Sequence, residues 1–555
     1  MESAKAGPRA GLRRRGGIAH APRMTAGAGD APSGTMRPIL WIVLASALAH
    51  LWCLGSVFYM DDGIQILRNE SLQRGEFWNP LAVAWTQLWY FLQYRIFGLS
   101  VVGFHAVNWL LHTAVAAVFY LTARRLMGNA CAGLALFAAL LFVVHPLGSE
   151  IPNYVRTQDL AWVTLFSLGA CLALLIWQET RRIPWLGGMA LCVAGATISK
   201  GPGLFHAGMM LAAVAVVSVK PEQGRAMLRH WKKIALGALV VLLGLWFGGL
   251  LKQLLGATDK WDEPRFIGHG YTVCRVFWEF AWRGIVPIKL SSDHHIAETL
   301  FPPGRGLFAI PDTRAVFAAL GLVAVTLTGM RLMFHARWKL IGLCLFLFAA
   351  TMLFRIAYLI PEFMPEYRIY PGLPWFCLGL ALLLGGLWRK CLAKRSPLAA
   401  AVILLACFAA LSAKRSVVWH DLDRLCADVL RQYPAQARAI WELHDRDARA
   451  QQWQAIIDRQ EREFPKVFKA FMETNKRLAP KRELPTGHFA LADIACRGRY
   501  AVALTHVKGP AAGLAEIRRT AMLVQQLGIS ETSNPAVYGH FIKARDEVLL
   551  FSKTP

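Results

Sequence analysis

Pro38-Ile39-Leu40-Trp41-Ile42-Val43-Leu44-Ala45-Ser46-Ala47-Leu48-Ala49-His50-Leu51-Trp52-Cys53-Leu54-Gly55-Ser56-Val57-Phe58-Tyr59 is an apolar run long enough to cross a bilayer as one helix. It stops at two adjacent carboxylates, Asp61 and Asp62. The preceding stretch, 1–36, is rich in Ala, Gly, Pro and Arg, with Arg13, Arg14 and Arg15 in a row, and reads as a disordered basic tail in which Met24 and Met36 are alternative starts. Ala45-Ser46-Ala47-Leu48-Ala49 mimics a signal-peptidase site, but the apolar character continues through Leu51 to Phe58. That is too long for a signal h-region, so the run reads as an uncleaved anchor.

Ten further apolar runs follow, near 101–121, 130–148, 160–178, 183–199, 203–219, 234–251, 314–333, 340–360, 371–388 and 397–413. Among 555 residues, 55% are hydrophobic and 17% charged, and the mean hydropathy is +0.38. Such values belong to a membrane protein. The expected fold is an all-α polytopic membrane protein of about eleven transmembrane helices, over 37–415. The formal charge of +26 would point to nucleic acid in a soluble protein. Here much of it flanks apolar spans, where it sets topology and meets lipid headgroups, and a nucleic-acid partner is excluded as the main business. Arg124/Arg125, Arg181/Arg182, Arg225 to Lys233, Arg331 to Lys339 and Arg389 to Arg395 sit between alternate spans. By the positive-inside rule these loops and the N-terminus are cytoplasmic, and the C-terminal region faces outward.

Two outer loops are long, 60–100 and 252–313. Within them, 84–98 (Trp85, Trp89, Tyr90, Tyr94, Arg95) and 271–288 (Phe277, Trp278, Phe280, Trp282, Arg283) have the aromatic and basic makeup of interfacial helices. They read either as anchors or as walls of a cavity that admits a lipid-borne substrate. From 416 to 555 the composition turns polar, with helical spacing and prolines at 434, 465 and 480 that end successive helices. This is an extracytoplasmic α-helical domain with the spacing of a degenerate repeat, and nothing in it looks catalytic. Eleven cysteines form no CxxC pair. Cys426 and Cys496 both fall in the C-terminal polar region, where a pairing is open to them if that region is extracytoplasmic.

Asp61 and Asp62 lie at a membrane boundary beside aromatic residues. Desolvation and mutual repulsion raise at least one pKa there, which suits a general base. The alternative is a hydrated loop in which Asp62 caps the next helix. On the second span, His105, Asn108 and His112 share one helical face. Such groups either meet a cavity or hydrogen-bond neighbouring helices, the second being the reading for His112.

Asp61-Asp62 followed by Ile66 and Asn69 resembles the first outer loop of the C-type (GT-C) glycosyltransferases, and more closely the transmembrane and tetratricopeptide-repeat O-mannosyltransferases and their bacterial relatives. Further similar elements come in order: Phe104-His105-Ala106-Val107-Asn108-Trp109 in the second span, His145-Pro146-Leu147-Gly148-Ser149-Glu150 with Arg156-Thr157-Gln158-Asp159, Ile198-Ser199-Lys200-Gly201, Pro287 to His294, and Glu366-Tyr367-Arg368-Ile369-Tyr370-Pro371. The resemblance covers roughly 38–415. Gly201 stands where the family has Glu, His294 where it has Tyr, and Arg156 and Asp159 are one residue further apart than in the family. These departures bear on the donor sugar more than on the reaction.

The resemblance implies inverting transfer of a sugar from a polyprenyl-phosphate donor to a protein or glycolipid acceptor on the extracytoplasmic face. Protein O-glycosylation is favoured, because the family's repeat domains suit polypeptides. In that scheme Asp61 deprotonates or positions the acceptor hydroxyl, and Asp62 orients it or shares the role. Lys200, Arg156, His294, His295 and Arg368 are candidates to hold the donor phosphate. His105, His145, Glu150, Asp159, Asp293, Glu366 and Tyr370 are candidate donor or acceptor contacts. His294-His295 has no further metal ligand at suitable spacing, so neither metal nor cofactor is expected. The Ala/Arg/Gly-rich, lysine-poor composition points to a GC-rich bacterium and its inner membrane. The competing classes are a transferase of lipid-linked oligosaccharide or an O-antigen ligase, and a polyprenyl-lipid transporter or flippase.

Overall fold

The computed structural model describes residues 33–76, 84–219, 264–294, 313–357, 364–391, 396–476, 488–531 and 535–553. No strand occurs among them. Helices of ten or more residues are α1 (Ser33–His50), α2 (Ala84–Phe97), α3 (Val101–Met127), α4 (Ala132–Val143), α5 (Gln158–Thr180), α6 (Pro184–Ser199), α7 (Gly203–Ser218), α8 (Pro264–Ile285), α9 (Thr313–Met333), α10 (Lys339–Ala357), α11 (Leu373–Cys391) and α12 (Leu398–Val418). The C-terminal part continues with α13 (Leu422–Gln432), α14 (Ala437–Arg449), α15 (Trp453–Arg462), α16 (Phe464–Lys476), α17 (His488–Lys508), α18 (Pro510–Gln526) and α19 (Pro535–Lys553).

Among the described residues, six helices are long and apolar enough to cross a membrane: Met36–Gly55, Val101–Met127, Val155–Thr180, Thr313–Met333, Lys339–Ile356 and Leu398–Val418. Asn129–Val143 with Pro146–Asn153, bent by 54°, makes a seventh if the pair is one span. The protein is thus a polytopic all-α membrane protein with a helical C-terminal domain. Against the expected eleven spans, the runs at 183–199 and 203–219 form helices of only 16 residues each, below the usual spanning length. The run near 234–251 lies outside the described residues.

The run at 130–148 does not continue as one helix. Pro146 has no N–H and disfavours helical backbone at the residue before it, so α4 ends at Val143. Carbonyls freed inside an apolar bundle need donors. His50 Nε2 and His112 Nε2 both donate to the Val143 carbonyl, at 2.9 and 3.1 Å, and Ser412 Oγ donates to Val144 at 2.9 Å. Asn108 Nδ2 donates to the carbonyls of Ile151 and Tyr154 at 2.7 and 2.9 Å, and His105 Nδ1 to that of Pro152 at 3.1 Å. The polar face of α3 therefore props up the irregular stretch 144–157.

Around this core, α5 packs on α3, α6 and α7, α4 on α3 and α11, and α1 on α12. Close approach of α9 and α10 depends on glycine. A Cβ at Gly329 would lie 2.7 Å from the Phe346 nitrogen, and one at Gly342 2.5 Å from that of Met333.

The C-terminal helices close over small apolar clusters, one around Ile440, Phe464 and Phe471 and another around Ile494, Val502 and Val548. The second helical pair, α14 and α15, ends at Arg462, near Pro465 as the spacing suggested. Pro465 itself occupies the first turn of α16, where its missing N–H costs nothing. Pro480 lies outside the described residues. Cys426 and Cys496 are free thiols buried in separate clusters.

Candidate active site

The first loop begins with Met60 in left-handed backbone, φ 46°. This turn separates the two carboxylates. Asp62 is fully buried and accepts the Tyr59 N–H on Oδ2 at 3.1 Å and the Arg156 N–H on Oδ1 at 2.7 Å. It makes no side-chain cap on the turn that follows. It fastens the first loop to the stretch 154–157. Burial pushes its pKa up to about 8; the N–H bonds from Tyr59 and Arg156 pull it back, and the charge of Asp61 pushes it up again. Asp61 is partly exposed. Its N–H donates to Tyr154 Oη at 3.3 Å, and no hydrogen bond or ion pair engages its carboxylate among the described residues. Of the two, Asp61 is the carboxylate free to meet a ligand.

Beside this loop, cations gather on one buried acid. Asp159 Oδ2 is bonded by Arg156 Nη1 and lies 2.8 Å from Lys200 Nζ. Asp159 is 1% exposed, whereas the Arg156 and Lys200 side chains keep 26% and 19% of their surface. Burial and the neighbouring Arg156 and Arg368 lower the Lys200 pKa to about 8, against the pull of Asp159. Lys200 Nζ and the Arg368 guanidinium lie 5.7 and 5.2 Å from the centroid of the Tyr367 ring. Tyr367 packs edge-on against Tyr154, so an aromatic wall runs from the Asp61 loop to the cations. The Tyr367 N–H donates to Glu150 Oε2 at 2.7 Å, and Tyr90 Oη to the Val155 carbonyl at 3.2 Å. Arg156 and Lys200 share the single carboxylate of Asp159, with the Arg368 guanidinium close by on the Tyr367 ring, a basic setting that suits an anionic group such as a phosphate.

Other residues singled out from sequence are taken up inside the fold. His145 accepts the Leu147 N–H on Nδ1 at 3.2 Å and donates from Nε2 to the Gly284 carbonyl at 2.9 Å. Tyr370 donates to His112 Nδ1 at 2.7 Å. His294 donates from Nε2 to Glu366 Oε1 at 2.8 Å and accepts from Tyr433 Oη on Nδ1 at 2.7 Å. Both its nitrogens are taken, and burial holds its pKa below the ordinary imidazole range despite Glu366. Glu366 Oε1 also accepts the Ser291 N–H at 2.7 Å. Asp293 sits in the same loop, its N–H 3.4 Å from Ser291 Oγ. His105 supports the broken backbone, as described above. His295 lies outside the described residues. No group of three or more His, Cys, Asp or Glu positioned for a metal occurs among the described residues.

Sequence reading missed Tyr154 and Tyr433. Tyr154 immediately precedes the Arg156 element, but only the fold puts its hydroxyl under Asp61. Tyr433 belongs to the C-terminal domain and reaches back to the membrane part, where Arg283 Nη2 also donates to it at 3.4 Å.

No family model and no solved structure matches the chain. One curated protein does. Protein O-mannosyl-transferase F38B6.6 of Caenorhabditis elegans is 27% identical over 188 residues, taking in 30% of this chain and 26% of that protein. The chain therefore matches about a quarter of that relative's length. This is a distant link to GT-C-type membrane glycosyltransferases, and a transferase activity is consistent with it.

Proposed function

We propose that the chain is an inverting glycosyltransferase that moves a sugar from a polyprenyl-phosphate carrier to a hydroxyl on the extracytoplasmic face, with a protein as the favoured acceptor. One observation carries the reading: Asp62 binds the backbone of Arg156, so the free carboxylate of Asp61 and the cation cluster belong to one rigid unit. Asp61 takes the proton of the acceptor hydroxyl as its oxygen attacks the anomeric carbon. The bond from that carbon to the phosphate oxygen breaks on the opposite face, and the configuration inverts. The lipid phosphate leaves with the electron pair, and Lys200, Arg156 and Arg368 hold its charge. Asp62 keeps the loop in place. The orientation, N-terminus cytoplasmic and C-terminal domain outside, rests on the charge alternation of the loops, and the bacterial inner membrane on the Ala/Arg/Gly-rich, lysine-poor composition.

A transporter reading would need the broken span to offer its freed backbone to a cargo. Here His50, His112, Ser412 and Asn108 occupy those carbonyls, which weighs against it.

The test is transfer of radiolabelled sugar from polyprenyl-phosphate donors to membrane acceptors by purified protein. Asp61→Asn is expected to lower the rate by about 10²–10⁴-fold, the usual contribution of a general base. Transfer unchanged in the variant rules out Asp61 as the base. Transfer only from lipid-linked oligosaccharides would move the protein to the ligase class.

A further inference from the structure

The C-terminal domain does more than dock beside the site. Arg68 folds back on the first loop, donating from Nε to the Gly63 carbonyl at 3.2 Å, and its Nη1 lies 3.4 Å from Asp445 Oδ2 on α14. Arg438, Glu442 and Asp445 recur at i, i+4 and i+7, hence on one face of α14. The contact of Asp445 with Arg68 turns that face toward the Asp61 loop. Its other face carries Ala439 and Leu443 into the apolar cluster shared with α13.

Beneath this face lies a set of polar groups with unused bonding capacity. Tyr59 is 2% exposed and Ser292 6%, and the two hydroxyls lie close together. Neither makes a hydrogen bond of normal geometry. Tyr59 is held edge-on by Tyr154 and Trp419, at 6.0 and 5.5 Å between ring centroids. Asp293 and Glu442 act electrostatically on its hydroxyl, and Asp61 and Arg438 on that of Tyr154. Glu442 is half-buried, and no hydrogen bond or ion pair engages its carboxylate among the described residues. Buried hydroxyls with only each other within reach leave bonding capacity unused, and a ligand that completes their bonds removes the cost.

We infer that this seam is the acceptor side of the site, with Glu442 from the C-terminal domain and Tyr59, immediately before the first loop, positioning a hydroxyl-bearing polypeptide segment in front of Asp61. The orphaned hydroxyls match the N–H, C=O and O–H groups that a serine- or threonine-containing segment presents. The inference rests on the glycosyltransferase reading and makes the soluble domain a wall of the site.

The experiment uses the full chain in proteoliposomes, a radiolabelled polyprenyl-phosphate sugar, and a threonine-rich peptide as probe over a concentration series. Glu442→Gln and Tyr59→Phe are each expected to raise the peptide KM by about tenfold, the scale of one lost hydrogen bond to a charged group. The donor KM is expected to stay within about twofold, because the cations that face the donor are untouched. Glu442→Asp is expected to restore most of the loss, which a merely structural effect would not require. Tyr59→Phe keeps the ring packing and serves if Glu442→Gln does not fold. A peptide KM unchanged in both variants, or a donor KM that rises with it, overturns the inference while leaving the transferase reading intact. Transfer to a glycolipid but never to peptide overturns the polypeptide acceptor. No transfer by the wild type from any polyprenyl-phosphate sugar overturns the transferase reading itself.

Discussion

Lys200 Nζ lies 2.8 Å from Asp159 Oδ2, the same oxygen that Arg156 bonds, so one buried carboxylate holds two cations contributed by opposite ends of the α5–α6 hairpin. The arrangement keeps two like charges together on one carboxylate. Removing either sign has different consequences. Asp159→Asn leaves the two cations facing each other and is expected to destabilise the protein by about 3 kcal/mol. Lys200→Met relieves part of that repulsion and is expected to change stability by less than about 1 kcal/mol, while transfer falls by about 10²-fold. Thermal unfolding of the purified variants and donor kinetics separate the two. A Lys200→Met enzyme with unaltered donor kinetics would remove Lys200 from the phosphate site.

Adjacent carboxylates with opposite surroundings should respond oppositely to the same change. The Asp61 carboxylate bonds nothing among the described residues, so Asp61→Asn is expected to leave thermal stability within about 0.5 kcal/mol while abolishing most transfer. Asp62→Asn turns an NH₂ toward one of the two backbone N–H groups that now donate to the carboxylate. The expected cost is about 1–3 kcal/mol. Equal melting temperatures for the two variants would contradict this division of roles.

Asp62 also sets a pH dependence. Its pKa in the fold, about 8, stands above the unfolded value, so the native state binds more protons through the interval between them. Its contribution to stability is fully present below about pH 4 and declines as pH rises toward 8. Melting temperatures measured across that range should fall more steeply for wild type than for Asp62→Asn. Parallel slopes would show that Asp62 does not carry the effect.

Asn108 Nδ2 donates to two carbonyls of the broken stretch, those of Ile151 and Tyr154, which Thr157 Oγ1 also reaches at 3.3 and 2.6 Å. Asn108→Ala should cost about 1 kcal/mol, the net worth of a hydrogen bond whose acceptors keep a second donor in Thr157. Because Tyr154 is one of the two, transfer should fall as well. Circular-dichroism melting together with the transfer assay tests this. A stable and active variant would mean that the break is held from elsewhere.

Tyr433 joins the two halves by accepting from Arg283 and donating to His294. Tyr433→Phe keeps the ring packed edge-on against His294 and removes only the hydroxyl. A loss of about 1 kcal/mol is expected, seen as faster proteolytic release of the C-terminal domain. Release at the wild-type rate would show that the Arg68–Asp445 and Arg415–Asp428 pairs suffice.

Local patterning carried much of this protein on its own. Apolar runs such as 38–59 and 397–413 must satisfy their backbone internally once in lipid, so hydropathy alone marks them as helices. The two aromatic and basic segments expected as interfacial helices, 84–98 and 271–288, do fall on helices, α2 and α8. Pairwise identity of neighbours also brought Asp61 and Asp62 forward as candidates, since adjacent acids at a membrane boundary need an explanation.

Tertiary structure alone decided which groups are free. Nothing in the order of residues distinguishes Asp61 from Asp62; the left-handed turn at Met60 and the backbone of Arg156 do. His145, His294 and Tyr370 have the same chemistry as ligand-binding residues, but the break after Val143 and the docking of α13 give them partners within the fold. Glu442 drew no notice because its place over the first loop depends on a contact between Arg68 and Asp445, far apart in the chain. Burial is legible locally because it follows from hydropathy and period. The choice of hydrogen-bond partner is not, because it is settled by which segments meet in space.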